Sequence, residues 1–74
     1  KPPTINQNMH ITLNGERHTL DANSTLADII ATLDTDPRTL ALEQNGTIIP
    51  KSLHSETAVC EGDVIEVITF IGGG

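Results

Sequence analysis

The sequence predicts a small α+β domain in which one face of a sheet packs on a single helix. Three observations carry this reading. An alternating apolar pattern is broken by Asn14-Gly15, an apolar stripe recurs at Leu26, Ile29, Ile30 and Leu33, and an apolar run closes the chain from Val64 to Ile71. A sheet with one apolar face and an amphipathic helix each need a cover, and packing them together supplies it.

The first element is a hairpin. Asn14-Gly15 lies between His10-Ile11-Thr12-Leu13 and Glu16-Arg17-His18-Thr19-Leu20. Asn-Gly suits a type I′ turn, which needs φ > 0 at both central residues. A two-residue turn pairs Leu13 with Glu16, Ile11 with His18 and Met9 with Leu20. Ile11, Leu13 and Leu20 then define the core face, with Met9 at its edge and His18 at its rim.

Leu26, Ile29, Ile30 and Leu33 stand at i, i+3, i+4 and i+7, one stripe of a helix. Ser24 is the expected N-cap, with Thr25 and Asp28 as the alternative cap pair, and Asp28 in the first turn complements the helix dipole. Asp36-Pro37 closes this segment, because proline disfavours helical geometry in the residue before it. Leu40 to Gln44 alternates again and enters a second Asn-Gly turn at Asn45-Gly46. Leu42 and Ile49 are expected in the core, and Pro50 places the short strand Thr47 to Pro50 at a sheet edge. Lys51 to Val59 has no period and reads as a short helical turn over the surface. Glu61-Gly62-Asp63 is a turn into the last strand. There Ile65 and Val67 should be buried, while Glu66, Ile68 and Phe70 share the open face. Ile68 and Phe70, with Ile71 beyond them, are the candidate partner-binding residues.

Composition excludes several functions. The chain has 74 residues, a formal net charge of -6 and one aromatic residue, Phe70. So small a domain has little interior to spare for an enclosed substrate pocket. Nucleic-acid binding lacks both clustered cations and stacking platforms. No apolar run approaches a bilayer span, and no signal-peptide pattern opens the sequence. The single cysteine, Cys60, fits a reducing cytoplasm. Glu61 beside it opposes thiolate formation, so Cys60 is expected to pack or sit at an edge. His10, His18, His54 and Cys60 match no compact metal-ligand spacing. Asp34, Asp36, Glu43, Glu56 and Glu61 are either a steering patch for a basic partner or ordinary solvated surface. Lys1 to Asn8 is polar, contains proline and reads as a disordered extension or cloning remnant, leaving residues 9–71 as the domain.

Gly72-Gly73-Gly74 follows the last strand directly. Glycine lacks a Cβ, so such a tail can be threaded down a narrow channel of another protein. The chemistry would fall on the carboxylate of Gly74, with Gly72 and Gly73 giving reach. A frayed, inert end is the plainer alternative.

The order hairpin, helix, short strands, closing strand and glycines resembles the β-grasp or ubiquitin-like fold, with a mixed sheet on one helix. Met9 to Glu16, Leu40 to Lys51, and Gly62 to Val67 with the three glycines are similar to the matching segments of the sulfur carriers of thiamine biosynthesis, the ThiS family. The resemblance covers Met9 to Gly74. It implies a carrier and not an enzyme. A ubiquitin-activator-like adenylating enzyme would use ATP and magnesium to join the Gly74 carboxylate to AMP. Sulfur from a donor such as a cysteine desulfurase would displace AMP and leave a thiocarboxylate, which a thiazole synthase would consume. The chain itself would bind no cofactor. Three alternatives stay open: a molybdopterin synthase small subunit, a ubiquitin-like protein modifier, and an interaction module with an inert tail. Thr69-Phe70-Ile71 lacks the proline typical of the molybdopterin subunit.

Overall fold

A computed structural model describes residues 8–70 of the chain. Five strands are present: β1 (Asn8–Leu13), β2 (Glu16–Asp21), β3 (Leu40–Gln44), β4 (Thr47–Ile48) and β5 (Val64–Thr69). One helix, α1 (Leu26–Ala31), follows β2, and 3₁₀ turns occupy Pro37–Thr39 and Lys51–Glu56. The strands form one mixed sheet in the order β2-β1-β5-β3-β4. β1 and β5 run parallel, and the other pairs are antiparallel. This is the β-grasp arrangement expected from the order of elements.

Both Asn-Gly turns form as the sequence predicts. Asn14 and Gly15 have φ of 49° and 83°, and Asn45 and Gly46 have 53° and 87°. Only glycine and, less often, asparagine adopt this region without a steric cost. The hairpin register pairs Leu13 with Glu16, Ile11 with His18 and Met9 with Leu20. Met9, Ile11 and Leu13 are buried, and Leu20 is partly so. His18 departs from its expected rim position and is exposed. β2 is an edge strand of the sheet, and of its residues only Leu20 is even partly buried.

The helix is shorter than its stripe suggested. Thr25, not Ser24, is the N-cap: its Oγ1 accepts from the Asp28 N–H, while the Asp28 carboxylate accepts from the Thr25 N–H at 2.8 Å. This reciprocal capping box satisfies two of the donors a helix start leaves open. Ser24 is used differently, its carbonyl accepting from Val59 N–H at 3.0 Å. Leu26 N–H donates to the Thr57 carbonyl at 3.1 Å. The segment before β5 is thus stitched to the start of α1, which fixes the helix over the sheet.

Leu26, Ile29 and Ile30 of α1 meet Ile11, Leu40, Leu42 and Ile65 of the sheet, with Val59 closing one side. Leu33 and Ile49 pack partly against this core, and Ile49 N–H donates to the Leu42 carbonyl at 2.9 Å. Asn8, expected within the N-terminal extension, instead begins β1 opposite Asp21. A strand pairing reaching one residue further carries it into the sheet.

Candidate functional site

β5 sits between β1 and β3 at the centre of the sheet, and its alternation separates core from surface. Ile65 is fully buried and Val67 half-buried, whereas Val64, Glu66, Ile68 and Phe70 are exposed. Ile68 is 40% and Phe70 60% exposed, as their parity predicts. Phe70 continues the strand by one rung, its N–H donating to the Thr39 carbonyl at 2.7 Å. Ile71, Gly72, Gly73 and Gly74 lie outside the described residues.

Register extends the apolar face beyond the residues singled out from sequence. Ile68 pairs with Ala41, and Glu66 pairs with Glu43, which pairs on its other side with Ile48. Partners in a ladder share a face, so Ile48 and Val64, 54% and 44% exposed, join Ile68 on the sheet surface away from α1. Their sequence signal was available: Val64 has the parity of Ile68, and the Asn45-Gly46 turn places Ile48 opposite Glu43. Glu43 and Glu66 stand directly opposite each other, an arrangement that costs stability in a free sheet. A cation brought by a partner would relieve that repulsion.

The other acids do not converge. Asp36 accepts two-pronged contacts from Arg38, at 2.8 Å from Nη2, and caps the first 3₁₀ turn. The Arg38 hydrogen bonds hold its pKa down to about 2. Glu61 accepts from the His10 N–H at 2.9 Å and lies 3.6 Å from His10 Nδ1. Asp34 and Glu56 are exposed in connections elsewhere.

The start of β5 is held by Asp63, a buried carboxylate. It accepts from Gln44 Nε2 at 2.9 Å, Asn45 Nδ2 at 3.0 Å and Cys60 N–H at 2.8 Å. Burial alone would raise its pKa, but the bonds from Asn45, Cys60 and Gln44 outweigh that and hold it below the usual value. Asn45 completes the lock, its Oδ1 accepting from Val64 N–H at 2.8 Å and its own N–H donating to the Val64 carbonyl at 2.7 Å. The sequence alone placed Asp63 only in a turn, since two of its three donors, Gln44 and Asn45, lie on a distant segment.

Of the two places expected for Cys60, packed or at an edge, the structure excludes the packed one: its thiol is free and the residue is exposed. It contributes its backbone N–H to Asp63. Its neighbours Glu61 and Gly62 form the turn, where Gly62 has φ of 85°. His10 and His18 lie on β1 and β2, while His54 is buried and donates from Nε2 to the Ile49 carbonyl at 2.8 Å. A surface groove of about 480 Å³ lies between α1 and the second 3₁₀ turn, floored by Ile30, Leu33 and Pro37 and edged by Lys51. It opens on a different side of the molecule from the outer face of the sheet. No described helix is long and apolar enough to cross a membrane.

Residues 11–74 match the ThiS family, a span that includes the whole of β5 and the three glycines. The chain belongs to the ThiS family. The sulfur carrier protein ThiS of Bacillus subtilis is 36% identical over 50 residues, covering 68% of this chain and 76% of that protein. A thiazole synthase of Paramagnetospirillum magneticum is 39% identical over 66 residues, covering 89% of this chain. The chain spans 20% of the length of that thiazole synthase. The crystal structure of the thiamine biosynthesis protein ThiS from Geobacter metallireducens superposes with a TM-score of 0.76 at 28% identity, covering 89% of this chain and all of that one. Membership of this family agrees with the ubiquitin-like sheet.

Proposed function

We propose that the chain is a sulfur carrier of thiamine biosynthesis whose reactive group is the carboxylate of Gly74. The observation that carries this reading is the family match running through β5 to Gly74. The similarity to the Bacillus subtilis carrier supports the same function, and the similarity to a thiazole synthase supports that enzyme as the consumer of the sulfur.

The chemistry belongs to partners. A carboxylate is a poor electrophile, and the adenylating enzyme would convert it by attack of a Gly74 oxygen on the α-phosphorus of ATP, with pyrophosphate leaving. Magnesium and the partner's fixed dipoles would stabilise the charge that develops. Sulfide, released by a thiol reductant from the persulfide that a cysteine desulfurase forms, would then attack the acyl carbon, with AMP departing and the thiocarboxylate left on Gly74. Gly72 and Gly73 admit the tail to that site because no Cβ obstructs it. Val64, Ile68, Phe70 and Ile71 would dock the domain on the partner, with Glu43 and Glu66 facing a cation. The free Cys60 suits a reducing cytoplasm, where these reactions would run.

The test is the intact mass of the chain after incubation with the adenylating enzyme, ATP, magnesium and a sulfide source. The expected result is a gain equal to exchanging one oxygen for sulfur, confined to the peptide ending in Gly74. An unchanged mass in folded protein, with the enzyme active on its own carrier, would overturn the reading.

A further inference from the structure

Besides the outer edges of β2 and β4, a short stretch of β5 just before the tail has no strand partner on its β1 side among the described residues. Phe70 N–H bonds Thr39, and the pairs Ala41 with Ile68 and Glu43 with Glu66 continue that ladder. In an antiparallel pair, hydrogen-bonded and non-hydrogen-bonded positions alternate. Ile65, Val67 and Thr69 therefore aim their N–H and C=O groups away from β3, toward the β1 side. β1 meets β5 only at Thr12 with Val64 and Leu13 with Ile65, then turns back at Asn14-Gly15. Asn14 adds two bonds: its N–H donates to the Ile65 carbonyl at 2.9 Å, and its Oδ1 accepts from Val67 N–H at 2.8 Å. Past that point, no hydrogen bond among the described residues reaches the Val67 carbonyl or the Thr69 N–H.

We propose that this edge of β5, from the Val67 carbonyl through Thr69, receives an extended strand of the adenylating partner. The inference rests on the carrier reading above and names the contact that would align the tail. A free N–H and C=O at strand spacing form a template for strand addition, in which main-chain bonds give affinity and alternate side chains give selectivity. The face beside the edge sets the chemistry of the incoming strand: an apolar side chain beside Ile68, and a Lys or Arg beside Glu66 and its opposed Glu43. A second copy of the chain is disfavoured by charge. Pairing of two β5 edges would bring together two chains that each carry a net charge of -6.

Amide hydrogen exchange on the ¹⁵N-labelled full chain, with and without the adenylating enzyme of thiamine synthesis, reads the contact directly. Thr69 N–H should exchange freely in the isolated chain and slow by about tenfold or more in the complex, while Ile68 and Phe70 are slow in both. Thr69→Pro removes this N–H and places a ring on the edge, yet deletes no bond to β3. It should weaken binding about tenfold, the scale of one lost main-chain bond, whereas Thr69→Val, which keeps the N–H, should bind as wild type. Sulfur loading and binding of the wild type with no protection at Thr69 would overturn the edge contact and leave the carrier function standing. Failure of the wild type both to bind and to load would overturn the carrier reading and this partner together. Thr69 protection that grows with the concentration of the isolated chain would assign the edge to a second copy and likewise overturn the proposal.

Discussion

The Oδ1 of Asn14 accepts a hydrogen bond from the backbone N–H of Val67 at 2.8 Å, across 53 residues of sequence. The same residue occupies the first left-handed position of the hairpin turn, at φ 49°. Asn14 thus shapes the β1–β2 turn and also extends the short parallel ladder between β1 and β5 by a side-chain rung. Glycine would satisfy the first role but not the second, and alanine would satisfy neither. Asn14→Gly should destabilise the domain by about 1 kcal/mol, the net value of one hydrogen bond. Asn14→Ala should cost about 1 to 2 kcal/mol more, because it strains the left-handed position. Urea denaturation checks the order, and an Asn14→Gly variant as stable as wild type would refute the second role.

Core truncation should be severe in so small a domain. Ile30 is 8% exposed and Ile65 fully buried, and they join α1 to the central strand. Ile30→Ala or Ile65→Ala should each cost about 2 to 5 kcal/mol. Against a total stability of about 5 to 15 kcal/mol, either loss leaves a much larger unfolded fraction, measurable by thermal or urea unfolding.

Asp63 should make stability fall in acid. Its folded pKa is depressed below the ordinary 3.8, so its contribution is fully present above that value and is lost as pH falls through the folded pKa. Asp63→Asn removes this dependence along with the charge. Urea midpoints for the variant should be lower than wild type at neutral pH and converge with it below pH 3.8. Asp36 titrates in the same direction at about 2, but it is exposed and its ion pair is screened by solvent. Asp36→Asn should therefore flatten the acid limb less than Asp63→Asn does.

On the docking face, Ile68→Ser and Phe70→Ser should leave stability within about 0.5 kcal/mol of wild type, since both side chains are exposed. Both should weaken binding to the adenylating enzyme. Glu66→Lys offers a sharper comparison: it removes the repulsion from Glu43, so the free domain should become slightly more stable while binding weakens. Gain in stability with unchanged binding would show that the glutamate pair has no role in docking.

Gly74→Val should block sulfur loading while the far-UV circular dichroism spectrum and urea midpoint stay those of wild type. Normal loading of the folded variant would refute the chemistry at the tail.

Much of this was legible in the sequence, for local reasons. Asn14-Gly15 and Asn45-Gly46 specify both hairpin registers because their φ values and two-residue length leave few pairings for the flanking strands. The helical stripe from Leu26 and the alternation along β5 mark which side chains enter the core and leave Ile68 and Phe70 outside. The likeness to sulfur carriers was also readable along the chain. Thr25 displaced Ser24 as the helix cap because the bonds of Leu26 to Thr57 and Val59 to Ser24 tie this stretch to a segment more than thirty residues away. Cys60 was brought to the surface by a turn whose backbone serves Asp63, a requirement that its neighbours in sequence do not reveal. The opposition of Glu43 to Glu66, the Asn14 rung under Val67 and the open edge at Thr69 arise only when β5 is inserted between β1 and β3. Such pairings join residues far apart in sequence and leave no period in the chain, so local chemistry determined the elements and tertiary contact decided which of their polar groups were used and which were left open.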